Sequence, residues 1–369
     1  MVLNARPHGG EQKLSSTLDR IREKWRDRTD RMDRKEIPDG DEQGFAAAFF
    51  PGMIPEEYDR ARRLKRRLLQ TFRNVPLEEA IPGTELHTEK GLCYHVRTEE
   101  TLPLRIIRRE KARENILSDL KLIYGVGEIT ERELKEKGYR TIADLAAHPR
   151  FSARAETFLN ILDTGDTGRL CDWIGRWFSR SHPLILHSSG LHEKEDFLLL
   201  DIETLGLFTR PIILLGAAQI SGNRIRVDQY LLRDIHEEPA ALAALLSHVG
   251  KRSAFVTFNG RAFDVPYIRE RLAYYRMGGD LERAHFDVLH FSRRAWRDRA
   301  PSCRLTALET YLFGIEREDD VPSALVPEFY ETYRRTGNVG PLVPIIRHNH
   351  GDLITLARIF SRLHEEWER

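Results

Sequence analysis

FLLLDIET (197–204), PIILLGAAQI (211–220) and RIRVDQYLL (224–232) decide the fold. Each run is apolar or alternating and strand-sized, with only a short turn before the next, so the three predict an antiparallel meander. The rhythm then changes: EPAALAALLSHV (238–249) has helical spacing, SAFVTFN (253–259) reads as a strand, VPYIRERLAYYR (265–276) as a helix and HFDVL (285–289) as a short strand. A meander followed by strand and helix in alternation predicts an α/β domain with a mixed sheet, antiparallel at first and parallel afterwards. A dinucleotide-binding fold is excluded, because no helix follows the first strand and no G-x-G-x-x-G accompanies it.

Working outward, the chain divides into four expected regions. Residues 1–44 are charged, with little aliphatic periodicity beyond Leu18, Ile21 and Trp25, and are expected to be a mobile arm. Residues 45–111 are expected to form a small α/β region. Its helix carries Arg60, Arg62, Arg63, Lys65, Arg66 and Arg67, either a solvated face or a phosphate-binding patch. Residues 112–190 read as helical. Within them Gly125-Val126-Gly127 makes a tight turn, Thr130 and Glu133 a capping box, and Gly138 a helix stop before a short helix at 141–147. Trp173 and Trp177, four apart, are expected to anchor the core rather than to stack on bases. Residues 191–369 form the α/β domain.

Composition narrows the class. The 369 residues hold 58 Lys+Arg against 57 Asp+Glu, a net charge of +1, with 41% hydrophobic and 31% charged residues. This is a globular balance for two or three domains, in which a basic patch and an acidic pocket can cancel. The three cysteines, Cys93, Cys171 and Cys303, lack any C-x-x-C spacing, which excludes a disulfide framework or a cysteine zinc site and fits a cytoplasmic setting. No apolar run resembles a signal peptide or approaches the ~20 residues of a membrane span.

Five residues in the α/β half carry chemistry. Asp201 and Glu203 are i and i+2 on a strand and share one face of the sheet. Asp264 follows the strand at 253–259 through Asn259-Gly260-Arg261-Ala262-Phe263 and suits the first turn of a helix. His348 and Asp352 are i and i+4 in IIRHNHGDLITLARIF, while Leu353, Leu356, Ala357 and Phe360 form the packing stripe of that helix. Carboxylates gathered at the ends of buried strands need a compensating cation. Hard oxygen donors without cysteine select Mg²⁺ or Mn²⁺ over zinc.

In this order and on these elements, the set resembles the DEDD superfamily of 3′→5′ exonucleases on the ribonuclease H fold. DIETLGL supplies the first motif, NGRAFDVP the second and HNHGD the third. HFDVLHFSRRAW (285–296), CRLTALETYLFGIER (303–317), DDVPSALVPEFYETY and PGTEL are similar to the YprB-like family of bacterial ribonuclease-H-like exonucleases. The resemblance covers the catalytic half and much of 75–190, where the glycine turn resembles a helix-hairpin-helix module. It implies metal-dependent hydrolysis of phosphodiesters from a 3′ end by two divalent ions about 3.5–4 Å apart. Asp201 would bridge both ions, Glu203, Asp264 and Asp352 would ligate them, and His348, neutral near pH 7, would take a proton from the attacking water. Histidine-type members place their base five positions before the last aspartate, which here is Arg347; His348 is four before, and His350 would point elsewhere.

Thr204, Leu205 and Gly206 are expected at the terminal nucleotide, with Asn259 holding the loop before Asp264. Gly125 and Gly127 would offer backbone N–H groups to a phosphate, or serve packing alone. Asp287 and His290 are expected on the strand after the second motif in a hydrogen-bonding role, and Arg293, Arg294 and Arg297 along the phosphate backbone or simply exposed. DNA is favoured over RNA, repair is the expected setting and a helicase a possible partner. The rival readings are a non-catalytic nucleic-acid or helicase-partner module and a structure-selective endonuclease on the same fold.

Overall fold

The computed structural model describes residues 55–206 and 209–367; the arm expected over 1–44 lies outside the described residues. In chain order the strands are β1 (Thr84–Thr88), β2 (Gly91–Thr101), β3 (Phe197–Thr204), β4 (Ile212–Ser221), β5 (Arg224–Leu231), β6 (Ala254–Thr257) and β7 (Ala284–Asp287). They lie side by side as β1-β2-β5-β4-β3-β6-β7. The meander β3-β4-β5 is antiparallel, and β6 and β7 continue it in parallel beyond β3, which is the mixed sheet expected. The strands of the 45–111 region join this sheet through β2 and β5, paired from Tyr94 opposite Leu231 to Thr101 opposite Arg224.

The helices before the meander are α1 (Pro55–Thr71), α2 (Leu77–Ala80), α3 (Arg109–Leu117), α4 (Glu128–Glu136), α5 (Ser152–Asp163), α6 (Thr167–Ile174) and α7 (Pro183–His187). After it come α8 (Glu238–Leu246), α9 (Asp264–Tyr274), α10 (Val288–Trp296), α11 (Leu305–Phe313), α12 (Val326–Thr336) and α13 (Leu342–Trp367). Alternation along β3 assigns its two faces. Leu198, Leu200 and Ile202 pack with α8 and α9, while Phe197 and Leu199 face the cluster that contains α13.

On α13 the expected stripe of Leu353, Leu356, Ala357 and Phe360 is buried in that second cluster. Each large apolar side chain withdrawn from water there contributes about 1.5–3 kcal/mol. The roll of α13 about its axis is thereby set by packing, and the direction in which His348, Asn349 and Asp352 point follows from it.

Three local expectations need correction. The capping box of Thr130 and Glu133 is absent: α4 starts at Glu128, with Gly127 as N-cap and no side-chain cap, because the glycine turn already delivers the chain in extended geometry. His290 is on α10 and not on a strand, since β7 ends at Asp287, whose carboxylate caps that helix. Trp177 does not anchor the core. Helix α6 ends at Ile174, so the four-residue spacing from Trp173 no longer keeps one face, and Trp177 is exposed.

Candidate active site

Asp201 and Glu203 follow the alternation of Phe197 and Leu199 and project from β3 toward α13, near its last strand residue. Glu203 is buried and Asp201 partly so. Opposite Asp201 on β4 stands Gly216. A Cβ there would collide with the amide of Asn349, so the glycine lets α13 approach the sheet closely. Asn349 uses that room: its Nδ2 donates to the Asp201 carboxylate at 2.7 Å and to the Asp201 carbonyl at 3.1 Å. Gln229 on β5 orients the Asn349 amide in turn, donating to its Oδ1 at 2.8 Å.

Asp264 opens α9 and is buried; its Oδ1 accepts from the Ile202 N–H at 3.1 Å, which ties the helix start to β3. The loop before it is built by Asp287, which accepts from the backbone of Asn259 at 2.8 Å and of Arg261 at 3.1 Å. Asn259 occupies the left-handed region, φ 67°, and its carbonyl accepts from Ala262 and Phe263. Thr204 Oγ1 donates to the Gly206 carbonyl at 2.8 Å, as does Tyr267 OH at 3.0 Å, while Leu205 N–H donates to Pro211 O. These contacts hold the strand-end loop beside the first two acids. Gly125 and Gly127 lie in the helical region; Gly125 takes φ 88° in the turn before α4.

His348 is buried with three carboxylates around it. Its Nδ1 donates to Asp320 at 2.7 Å, and its Nε2 lies 3.1 Å from Ser323 Oγ, 3.5 Å from Asp352 and 3.8 Å from Glu203. Burial opposes the imidazolium, but the Asp320 hydrogen bond and the Asp352 and Glu203 charges outweigh it, and His348 is pushed up to about 10. In the cation-free site these carboxylates favour the imidazolium over the neutral imidazole expected near pH 7. His350 points away, toward Glu100 at 3.7 Å.

The acids respond in the opposite sense to what their ionised role requires. Burial, with Asp352 and Glu203 nearby, raises Asp201 well above the usual carboxylate range. Burial raises Glu203 to about 8 against the pull of His348, and raises Asp264 to about 7 against its backbone hydrogen bonds. Among the described residues, the cationic groups in ion-pair contact with Asp201, Glu203, Asp264, Asp320 and Asp352 are His348 and Arg317. Arg317 Nη1 lies 2.6 Å from Asp352, and its Nε is shared with Glu309 at 2.6 Å.

The donor set fits divalent cations of the hard class: all oxygen, no sulfur, and more negative charge than the two internal cations neutralise. Asp201, Glu203, Asp264 and Asp352 would hold them. Among the described residues no three acidic, His or Cys side chains already converge as a cation cage. Asn349 and the Ile202 N–H hydrogen-bond an oxygen of Asp201 and Asp264, and Arg317 forms an ion pair with Asp352, whose buried Oδ1 has no hydrogen-bond partner.

Sequence reasoning missed four participants. Asn349 was inside the quoted HNHGD, and Asp320 inside DDVPSALVPEFYETY, yet neither showed its partner. Arg317 and Ser323 come from the same loop before α12, whose distance from α13 only the folded chain sets. Of the basic segments, α1 sends Arg67 to Asp319, next to Asp320, and α10 sends Arg294 to Ser179 at 3.4 Å.

Residues 198–364 match the family described as the RNase H superfamily. The chain is 32% identical over 177 residues to the uncharacterized protein YprB of Bacillus subtilis (strain 168), an alignment covering 47% of this chain and 43% of that protein. The chain thus spans less than half the length of the curated relative it matches. Among the described residues no helix is long and apolar enough to cross a membrane. The mixed sheet and the helix closing on its central strand agree with this match and give residues 198–364 a ribonuclease H-like α/β fold.

Proposed function

We propose that this domain is a divalent-cation-dependent 3′→5′ exonuclease of the DEDD type, acting on nucleic acid in the cytoplasm, on DNA before RNA, in repair or processing. One observation carries the reading: Glu203 of β3 and Asp352 of α13 converge on His348, and Asp352 also bears electrostatically on the buried Asp201 and Asp264, while among the described residues the cations in ion-pair contact with this group are His348 and Arg317 alone. Bound at Asp201, Glu203, Asp264 and Asp352, Mg²⁺ or Mn²⁺, two ions in this class of site, would supply charge neutralisation at the phosphate and a more acidic water. The chain's own residues do the rest. Asn349 and Gln229 orient Asp201, the Ile202 N–H orients Asp264, and Asp320 fixes the ring of His348 so that Nε2 faces the gap between Glu203 and Asp352. With those carboxylates engaged by a cation, His348 would lose part of the negative surroundings that favour its imidazolium, and its Nε2, facing the gap between Glu203 and Asp352, would be better able to accept a proton.

The test is hydrolysis of 3′- and 5′-labelled DNA and RNA, single- and double-stranded, with Mg²⁺, Mn²⁺ or EDTA, for the unaltered chain and for Asp201→Ala. A ladder shortening from the 3′ end that needs the cation and disappears in the variant is expected. Equal cleavage by Asp201→Ala would overturn the assignment, and cutting of circular DNA would turn it into an endonuclease. One feature favours a non-catalytic nucleic-acid or helicase-partner module instead: Arg317 already sits on Asp352. Cation-induced stabilisation without turnover on any of these substrates would decide for that reading.

A further inference from the structure

The turn before α4 carries side chains that the site described above does not use. Tyr124, immediately before Gly125, is 60% exposed and Trp177 39% exposed. Their rings stand 5.7 Å apart, tilted by 37°, so two large aromatic surfaces face solvent side by side. Burying such rings is the ordinary use of Tyr and Trp, and leaving both out forgoes that stabilisation. Arg154 lies over the Tyr124 ring at 5.0 Å and donates to the Tyr124 carbonyl at 3.0 Å. Arg150 and Arg154 flank Gly125 from one side, both exposed.

Of the two carboxylates beside the turn, Glu131 is spent internally, accepting from the Leu120 N–H and pairing with Lys135 and Lys121, while Glu128 stands exposed at the first position of α4. The patch also connects to the acidic site. Two residues beyond Trp177, Ser179 Oγ accepts from Arg294 of α10. That helix is capped by Asp287, which organises the Asn259–Arg261 turn leading to Asp264.

We propose that Tyr124 and Trp177 form a stacking platform for an unpaired base, with Arg150 and Arg154 on the adjoining phosphates, and that this platform holds a single nucleic-acid strand running along α10 toward the acidic site. The ligand class rests on the nuclease reading. Flat aromatic faces suit any base and arginines suit the backbone, which is the chemistry of sequence-tolerant single-strand binding. A duplex keeps its bases stacked inside and offers such a platform only phosphate.

The experiment measures binding by the full chain in EDTA, where no hydrolysis is read. The probes are a fluorescein-labelled oligothymidylate and a fluorescein-labelled blunt two-stranded duplex, followed by anisotropy. Tyr124→Ala and Trp177→Ala should weaken oligothymidylate binding roughly 5- to 150-fold each, and duplex binding far less. Trp177→Phe, which keeps a ring, should restore most of the loss and guards against a folding artefact. Arg150→Ala and Arg154→Ala should each lower the salt slope of single-strand binding by about 0.7. Unchanged oligothymidylate binding in both aromatic variants, or an equal loss on the duplex, overturns the platform and assigns the patch to a protein partner or to phosphate contact alone. The two readings fail separately. Active enzyme with unaffected aromatic variants sinks the platform, whereas aromatic-dependent binding by a chain that never cleaves sinks the nuclease.

Discussion

Asp228 and Asp201 stand on one sheet, opposite Ala217 and Gly216 of the same strand, and project from opposite faces. Asp228 is only 1% exposed and fully served: His95 Nε2 lies at 2.8 Å, Arg97 Nε at 2.7 Å and Arg226 Nε at 3.0 Å. Burial would raise it, but the His95 and Arg97 hydrogen bonds prevail and hold its carboxyl well below the usual range. Asp201 has an amide for a partner and three other acids for company, and is driven upward. Glu238 repeats the first pattern in the core, clamped by Arg271 at 2.7 and 2.6 Å and by Tyr275 at 2.8 Å. A buried acid that the fold has neutralised is architecture, and a group of acids left short of cations is a place for something the chain does not itself supply.

The largest effects should separate these two kinds of acid. Asp201→Ala or Asp352→Ala is expected to lower nuclease turnover by more than ~100-fold, because partners one step further out already cost about 10–100-fold in metal sites. For Asp201→Ala the fold in cation-free buffer should be little harmed, since Asn349 Nδ2 keeps the carbonyl of residue 201 as acceptor, whereas Asp352→Ala takes an acceptor from Arg317 and His348 and should cost some stability. Asp228→Ala should do the reverse. It leaves His95, Arg97 and Arg226 without their acceptor and costs about 2–3 kcal/mol in urea unfolding, below the ~3–5 of a fully buried pair because both arginines are half in solvent. Turnover per folded molecule should stay near that of the parent. If Asp201→Ala instead unfolds the chain while Asp228→Ala abolishes turnover, the comparison is inverted.

Next in size is Asp320, the acid that serves His348. Asp320→Asn keeps the shape and removes the charge, and should lower kcat about 10–100-fold with KM and the cation-induced rise in Tm retained. The Nδ1 proton of His348 should lose its strongly hydrogen-bonded NMR signature in the same variant, and Asp320→Glu should recover part of both. An unaltered kcat would leave His348 without a positioning partner.

The sequence carried those parts of the site that depend on the geometry of a single element. Alternation along 197–204 was enough to put Asp201 and Glu203 on one face, and helical spacing to put His348 beside Asp352. Asp320 and Arg317 escaped because their role depends on a loop before α12 folding back on α13, with no periodic signal to announce it. Trp177 was misread for a related reason: spacing is informative only while the helix lasts, and α6 stops three residues earlier. The upward shift of His348 in the cation-free site was beyond reach as well, being a property of three surrounding carboxylates and not of the histidine.

Titration sharpens the contrast by a few degrees of Tm. Glu203 and Asp264 have folded values of about 8 and 7 against ordinary values of 4.5 and 3.8. Between those limits the folded chain binds more protons than the unfolded one, so stability falls as pH rises. His348, raised to about 10, adds stability in full below 6.5 that is lost as pH climbs through 10, which is the same direction. Asp228, being depressed, contributes only above its unfolded value and is level from about pH 5 upward. Below pH 6.5 the buried histidines His182, His187, His285 and His364, all depressed by burial, act in the opposite sense. In EDTA, Tm should therefore decline from pH 6.5 to 8, and Mg²⁺ or Mn²⁺ should raise it more at pH 8 than at pH 6.5. A flat EDTA profile would mean that the acids are not short of cations after all.

The smallest expected effect probes the closest approach of α13 to the sheet. Asn349→Ala removes the donor on Asp201 and should lower turnover about tenfold, with Gln229 losing one of its two acceptors and keeping the Ile346 carbonyl. Gly216→Ala adds a methyl where the Asn349 amide stands, so it should cost about 1–3 kcal/mol by overpacking. It should also displace the same amide from Asp201 and lower turnover in the same way. In the double variant the methyl occupies the space the amide has vacated. Its stability should recover toward that of Asn349→Ala alone, and its turnover should fall no further than in Asn349→Ala. Additive losses in both quantities would mean that Gly216 serves β4 independently and that the route from strand to Asn349 to Asp201 does not act as one unit.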